Sequence, residues 1–392
     1  KQKAVSVALK PELLERIKSA RRSPLIEGEE VTFVYHGAAK RVEVVGDFTG
    51  WGMRSHVMQA VPGTDAVKLY TLRFPKSSRV EYKLIADGEW MLDPLNPDKN
   101  DNGVGGENSF FTMPEYRASP FVNAEGGWRL PPGLDAKAVF KNWARHGTGG
   151  AAINFGDMLV DIQLEDVPSD RLGSKRTIAV YFPRGYRKAQ QTRYPVLYVQ
   201  DGSDYIRRAH AVEIADKMVA QGKVAPFIIV FIDPLDRMKE YWANDAFADF
   251  MAKELVPFVD ARFRTVADRE HRALLGASLG GVISVWTALR HPAVFARVGG
   301  QSTAFWIDDE RVVTALAALD EEARRNHPFR FYFDTGRLES VLDTHRRVQV
   351  MLAAKGYPVT YRESESGHNY TTWRDRLADA YLALWGELKT VE

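Results

Sequence analysis

The sequence contains no cysteine, which excludes a catalytic thiol, a disulfide framework and thiolate metal sites together. The compartment stays open, because a cysteine-free chain suits cytoplasm and periplasm alike; the cytoplasm is the first expectation. No apolar run approaches the roughly 20 residues that cross a bilayer as a helix, so no membrane partner is expected. An excess of charge is also missing. Fifty-three Lys and Arg against 51 Asp and Glu leave +2, and no overall field recommends nucleic acid as a partner. Internal repeats and low-complexity tracts are absent. What is present is an ordinary folded composition, 45% hydrophobic and 27% charged over 392 residues, too long for one core and suited to two domains. The sequence opens on a Lys, so a removed leader segment would leave no trace in it.

Helical spacing marks Pro11 to Ser19 as one short outer helix. From Val31 to about Met113 short alternating runs, such as Val31–Tyr35 and Lys68–Phe74, are punctuated by Gly, Pro and Asp. This spacing predicts an all-β, immunoglobulin-like sandwich over residues 1–115. Residues 116–150 carry Ser119-Pro120, Pro131-Pro-Gly and Thr148-Gly-Gly, and read as a linker with one helical turn in it. Over 151–392 apolar β-rich runs (Thr177–Phe182, Val196–Val199, Phe227–Ile232, Arg272–Leu275) alternate with amphipathic segments such as Asp245–Phe263. That alternation predicts an α/β domain, a mostly parallel sheet with helices on both faces, closed by a helix over Thr371–Leu388.

Gly276-Ala-Ser278-Leu279-Gly280-Gly281 follows a strand-like run and precedes a helix-like one, the context a Gly-x-Ser-x-Gly elbow requires. Ser278 is the expected nucleophile, and the amide of Leu279, at the helix start, the first oxyanion donor. A glycine-rich structural turn is the plain alternative. The base should come late in the chain, and of nine histidines only His368 lies beyond the last predicted strand. His345 reads as a residue of an exposed helix. The orienting acid is open among Asp334, Glu339 and Asp343 after strand Phe329–Phe333, with Glu339 favoured because its loop position lets it swing toward an imidazole. A second oxyanion donor is expected from Gly202 or Ser203. Ser278 and His368, 90 positions apart in the sequence, must meet for this chemistry to run.

Together these residues resemble the enterochelin esterase family, within the esterase D group that includes feruloyl and acetylxylan esterases. The likeness covers roughly Asp161 to Glu387, through Tyr194-Pro-Val-Leu-Tyr-Val-Gln-Asp201-Gly202, the serine elbow, and Gly367-His368 followed by Trp373-Arg374. It implies ester hydrolysis with no cofactor and no metal, and it selects Glu339, three residues beyond the strand-end glycine, as the acid. Arg237-Met-Lys-Glu240-Tyr241 is similar to the family's Arg-x-x-Glu-Leu stretch, which implies that Arg237 reaches the substrate; a salt bridge to Glu240 is the plain alternative. An iron-bound catecholate ester is anionic, so Arg207 and Arg208 are further substrate-binding candidates. Their alternative is a solvated helix face.

Gly46-Asp-Phe-Thr-Gly-Trp51, Tyr82–Trp90, Asp93-Pro94 and Glu107-Asn108 resemble an early-set sandwich of the family 48 carbohydrate-module type. The resemblance implies glucan contacts from Trp51, Lys83, Trp90 and Asn108, since aromatic faces beside amide and ammonium donors suit sugar rings. Tryptophans that simply pack the sandwich are the alternative. A small ester is therefore the expected substrate, from a siderophore or a carbohydrate. Two further readings are a glucan-binding protein with an inert hydrolase domain and an acyltransferase of the mycolyl type. Asp98, Asn100 and Asn102 mimic half of a calcium loop, but Ser109 stands at position twelve, and the stretch reads as a polar turn.

Overall fold

The computed structural model describes residues 15–17, 19, 21–52, 55–103, 105–122, 152–155 and 158–386. Most of the expected N-terminal helix and of the expected linker lie outside these. Two compact units result: one holds the chain up to Ala118 with Gly336–Leu342 and Glu363–Thr372, the other Ser119–Thr335, Asp343–Arg362 and the C-terminal stretch from Trp373.

In the first unit the strands are Leu25–Glu27 (β1), Glu30–His36 (β2), Val42–Gly46 (β3), His56–Val57 (β4), Gln59–Val61 (β5) and Thr64–Arg73 (β6). Arg79–Ala86 (β7), Glu89–Met91 (β8), Lys99–Asp101 (β9) and Glu107–Thr112 (β10) follow. They form two sheets, ordered β1-β2-β6-β5 and β4-β3-β7-β10-β9, with β8 on β7. Period-two alternation sends Val80, Tyr82 and Leu84 inward. There Tyr82 and Phe111 meet Phe33 edge-on, with ring centroids 4.9 and 5.8 Å from it, contacts that add to the apolar burial. The outward set of β7, Arg79, Glu81 and Lys83, is polar.

The second unit is built on one nine-stranded sheet: Ala152–Phe155 (β11), Met158–Val167 (β12), Arg176–Phe182 (β13), Val196–Gln200 (β14), Ile228–Ile232 (β15), Arg272–Ala277 (β16), Arg297–Gln301 (β17), Arg330–Gly336 (β18) and Val359–Ser364 (β19). Its order is β11-β12-β13-β15-β14-β16-β17-β18-β19. β11, β12, β13 and β15 pair antiparallel, and from β15 through β14, β16 and β17 to β18 the pairing is parallel. The helices are Gly202–Arg207 (α1), Ala211–Ala220 (α2), Arg237–Glu240 (α3), Asp245–Phe250 (α4), Val256–Arg262 (α5), Leu279–Arg290 (α6), Ile307–Ala317 (α7), Glu321–Asn326 (α8), Leu342–Ala354 (α9) and Tyr370–Trp385 (α10). Strands buried on both faces read as unbroken apolar runs, as Ile228–Ile232 does. Ile228, Val230 and Ile232 share a core with residues of α4 to α7. On the other face Tyr181 donates to Asp216 of α2, at 2.5 Å, and Tyr332 to the Arg376 carbonyl of α10, at 3.2 Å.

Because β15 lies on the far side of β14 from β16, the chain reverses its direction of travel across the sheet at β14. The carboxyl ends of β14 and β16 therefore flank the crevice where open α/β sheets bind ligands. Gly202 follows one of these strands, Ser278 the other.

Candidate active site

Ser278 stands between β16 and α6 with φ 56° and ψ −120°, a backbone that L-residues other than glycine rarely adopt. The turn is held from several sides: Ser278 N donates to the Gln301 carbonyl at 2.9 Å, and its own carbonyl accepts from Gly281, Val282 and Ala304. A β-carbon on Gly276 would lie 2.3 Å from the Gly280 carbonyl, so strand and helix approach more closely than any side chain there permits. Leu279, the first helical residue, precedes the ladder that opens with the Gly281 amide, as the elbow reading requires.

The β14 loop abuts this turn: a β-carbon on Gly280 would sit 3.1 Å from Asp201 Oδ2. The Ser203 amide donates to Asp233 Oδ1 at 3.0 Å, so of the two expected donors on this loop it is engaged by a carboxylate. Burial pushes Asp233 up to about 6, against the opposing pull of its bonds with Ser203. Arg237 grips Asp201 with two nitrogens, Nε–Oδ1 at 2.9 Å and Nη2–Oδ2 at 2.8 Å, and Nη2 reaches the Ala277 carbonyl at 3.4 Å. Glu240 instead pairs with Arg176 at 2.6 Å, so the alternative of an Arg237–Glu240 bridge does not form. Burial raises Asp201, with the Arg237 charge opposing. Arg207 and Arg208 both lie beside Asp204, at 3.1 and 3.8 Å.

Asp334 belongs to the bracing beneath the elbow. Its Oδ2 accepts from Tyr332 Oη at 2.6 Å and from Gln301 Nε2 at 2.8 Å; Gln301 Oε1 in turn accepts from Tyr205 Oη at 2.8 Å. This buried network was not foreseen, and its only sequence signal is polar residues inside apolar strands. Asp343 opens α9.

In the first unit, His368 Nδ1 and Glu339 Oε2 are 2.7 Å apart. The Glu339 side chain is 1% exposed, and its Oε1 accepts from the Gly336 amide at 2.6 Å. Arg337 N to Ser364 O, at 2.8 Å, and Leu338 N to Ser366 O, at 3.2 Å, tie the acid's loop to the histidine's. Of the three carboxylates weighed, Glu339 is the one brought to the imidazole.

The four sugar candidates separate. Trp90 is 50% exposed and Lys83 partly so. Trp51 Nε1 donates to Asp47 at 3.2 Å. Asn108 is 6% exposed, its amide spent on Glu81 Oε2 at 2.8 Å. His345 is a correction: it lies on α9 as expected but is 1% exposed, bonded to the Thr303 carbonyl at 3.1 Å. His345, Val348 and Leu352 are the buried stripe of α9, and in a helix otherwise crowded with polar residues the histidine does not announce itself as core.

Strand order, elbow and covering helices define the second unit as an α/β-hydrolase. The chain belongs to the family described as "Putative esterase", whose model matches residues 169–384. Residues 29–112 match the model described as the glycogen recognition site of AMP-activated protein kinase. The iron(III) enterobactin esterase of Dickeya dadantii is 27% identical over 347 residues, 83% of this chain and 78% of that protein. An endo-1,4-beta-xylanase/feruloyl esterase of Xylanibacter ruminicola is 29% identical over 221 residues, 53% of this chain; the match spans only 29% of that protein's length. The crystal structure of ferric enterobactin esterase from Salmonella typhimurium superposes with a TM-score of 0.68 at 18% identity, covering 94% of this chain and 97% of that one, and shares its fold. The chain is thus enterochelin esterase-like, with a carbohydrate-module-like sandwich at its N-terminus.

Proposed function

We propose that the chain hydrolyses carboxylic esters through an acyl-enzyme on Ser278, with a siderophore-type trilactone or related ester as substrate. The observation that carries the chemistry is the left-handed backbone of a serine set between strand and helix. Strain of this kind costs about 1–3 kcal/mol and persists where the surroundings impose it, most often at functional sites. In this reading His368 takes the Ser278 proton as the serine oxygen attacks the ester carbonyl, and returns it to the departing alcohol. Glu339, bound to Nδ1, fixes the tautomer, so the proton travels through Nε2. The Leu279 and Gly202 amides are proposed to hold the oxyanion. A water, deprotonated by the same imidazole, then releases the acid and restores the serine.

Likeness to the Dickeya esterase over most of the chain supports the siderophore reading, and Arg237 beside the elbow suits an anionic substrate. The runner-up is a carbohydrate ester of the feruloyl or acetylxylan type, supported by the half-exposed Trp90 and by the glycogen-recognition match. Rates per concentration on enterobactin, feruloyl-arabinose, acetylated xylan and p-nitrophenyl acetate rank the substrates, since specificity is a ratio of those values. Ser278→Ala is expected to abolish turnover of all four with the fold intact, and undiminished hydrolysis would remove the proposal. Glucan pull-down with Trp51 and Trp90 variants separates the binding reading. Glucan bound by a chain that cleaves no ester would favour it.

A further inference from the structure

The Gly46–Trp51 motif, which resembles a sugar-binding sequence, has a different set of neighbours. Within the first unit the segment 365–371 is fastened to the sandwich at three successive points. Arg79 N donates to the Glu365 carbonyl at 3.2 Å, Asn369 Nδ2 reaches Asp47 Oδ2 at 3.5 Å, and Asn100 Nδ2 reaches Thr371 Oγ1 at 3.4 Å. Between them, Gly367 crosses directly over Asp47. A β-carbon at 367 would lie 2.0 Å from Asp47 Cγ and 2.2 Å from Oδ1, so every residue but glycine is shut out.

Asp47 is itself immobilised. It is 3% exposed, its Oδ2 accepts from Glu81 N at 2.8 Å and its Oδ1 from Trp51 Nε1 at 3.2 Å. Asn369 has a second task, accepting from Thr372 N at 3.0 Å through Oδ1, which caps the start of α10. Both chain neighbours of His368 are thus referenced to one buried carboxyl group, while Glu339 Oε2 lies 2.7 Å from Nδ1 of the ring.

We infer that Asp47 is a positioning residue for His368, its carboxyl group forming the seat on which the 366–369 turn rests. This deepens the proposed function and rests on His368 as the general base. The seat acts through the imidazole alone, and a displacement of the order of 1 Å in a catalytic group lowers turnover about 10²-fold. The structural alternative is that Asp47 merely stabilises the sandwich.

The full chain is assayed on p-nitrophenyl acetate as parent, Asp47→Ala, Asp47→Asn, Gly367→Ala, His368→Ala and the double variant Asp47→Ala/His368→Ala. Expected are a 10- to 100-fold loss of kcat for Asp47→Ala and Gly367→Ala with KM within about twofold, recovery of most activity by the isosteric Asp47→Asn, and no further loss when Asp47→Ala is added to His368→Ala. Full kcat in Asp47→Ala beside an inactive His368→Ala would overturn the positioning role and spare the base. So would an additive loss in the double variant, or a loss that Asp47→Asn shares in full. An active His368→Ala would instead strike the proposed function. Should Asp47→Ala fail to fold, Gly367→Ala, which keeps Asp47 and its hydrogen-bond partners in the sequence and lifts the turn off the carboxyl group, decides by the same kcat and KM readout.

Discussion

His368 Nδ1 and Glu339 Oε2 lie 2.7 Å apart, whereas Asp334, one residue beyond Phe333 on the same strand, bonds to Tyr332 and Gln301. Two carboxylates five positions apart thus have separate tasks. Glu339→Gln is expected to lower kcat about 10²- to 10⁴-fold by upsetting the imidazole tautomer, with little change in KM. Asp334→Ala is expected to leave kcat within a few-fold and to cost about 1–3 kcal/mol of stability, because Tyr332 Oη and Gln301 Nε2 both lose the one oxygen, Oδ2, that accepts from them. Steady-state kinetics with denaturant melts on both variants checks this; the reverse assignment of losses would exchange the two roles.

Gly276 and Gly280 set the width of the elbow. Gly276→Ala drives a β-carbon into the backbone of α6, where relaxation means prising the helix from the strand. A loss of about 1–3 kcal/mol is expected, with a fall in kcat larger than stability explains, since Ser278 moves with the helix start. Labelling of Ser278 by a fluorophosphonate probe, followed by mass spectrometry, reads the second effect directly.

Much of this was legible in the residues. The elbow sits within six consecutive positions between a strand pattern and a helix pattern, so local spacing reveals it. Glu339 was within reach because its loop position beyond the strand end favours it and the family resemblance, which implies an acid three residues after the strand-end glycine, selects it. The seat under His368 was not, since Asp47 and Asn369 are 322 positions apart and Asp47 lies in a motif that resembles one for sugar. Arg237 was singled out, but its partner proved to be Asp201 rather than Glu240. Turn-to-turn pairing across a sheet edge leaves no periodicity for a sequence to display. The sandwich core and the parallel strands, by contrast, are written in periods of two and in unbroken apolar runs.

Arg237 and Asp201 form a bidentate pair beside the nucleophile, and the planar fork makes the match particular to arginine. Arg237→Lys is expected to keep the charge, lose one of the two bonds and cost about 1 kcal/mol. Arg237→Ala should cost about 2–4 kcal/mol by leaving a buried carboxylate unpaired. If Arg237 also meets anionic substrate, KM for an anionic ester rises at least tenfold in the alanine variant, while KM for p-nitrophenyl acetate stays within about twofold. Equal changes for both esters would confine the arginine to a structural role.

Burial, reinforced by the neighbouring Glu81 charge and opposed by the Glu81 amide and the Arg79 guanidinium, pushes the Asp47 carboxyl up to about 8. A carboxyl raised above its unfolded value of about 4 favours the folded state in its neutral form. Its contribution is therefore whole below about pH 4 and is lost as the pH rises toward about 8, because the unfolded chain ionises first. Arg79 and Glu81 pair with each other at 2.9 Å and remain in the variant, so the titration removed by Asp47→Asn is that of Asp47. Relative to the parent, Asp47→Asn is expected to gain stability steadily between pH 5 and pH 8, by at most ~1.4 kcal/mol per pH unit for one proton, and to follow the parent's slope above pH 9. Urea melts of both proteins at unit pH intervals measure the difference. A gap between the two that is flat from pH 5 to 8 would mean that Asp47 ionises in the folded protein much as it does in the unfolded chain, and that Gly367 crosses a carboxylate rather than a neutral acid.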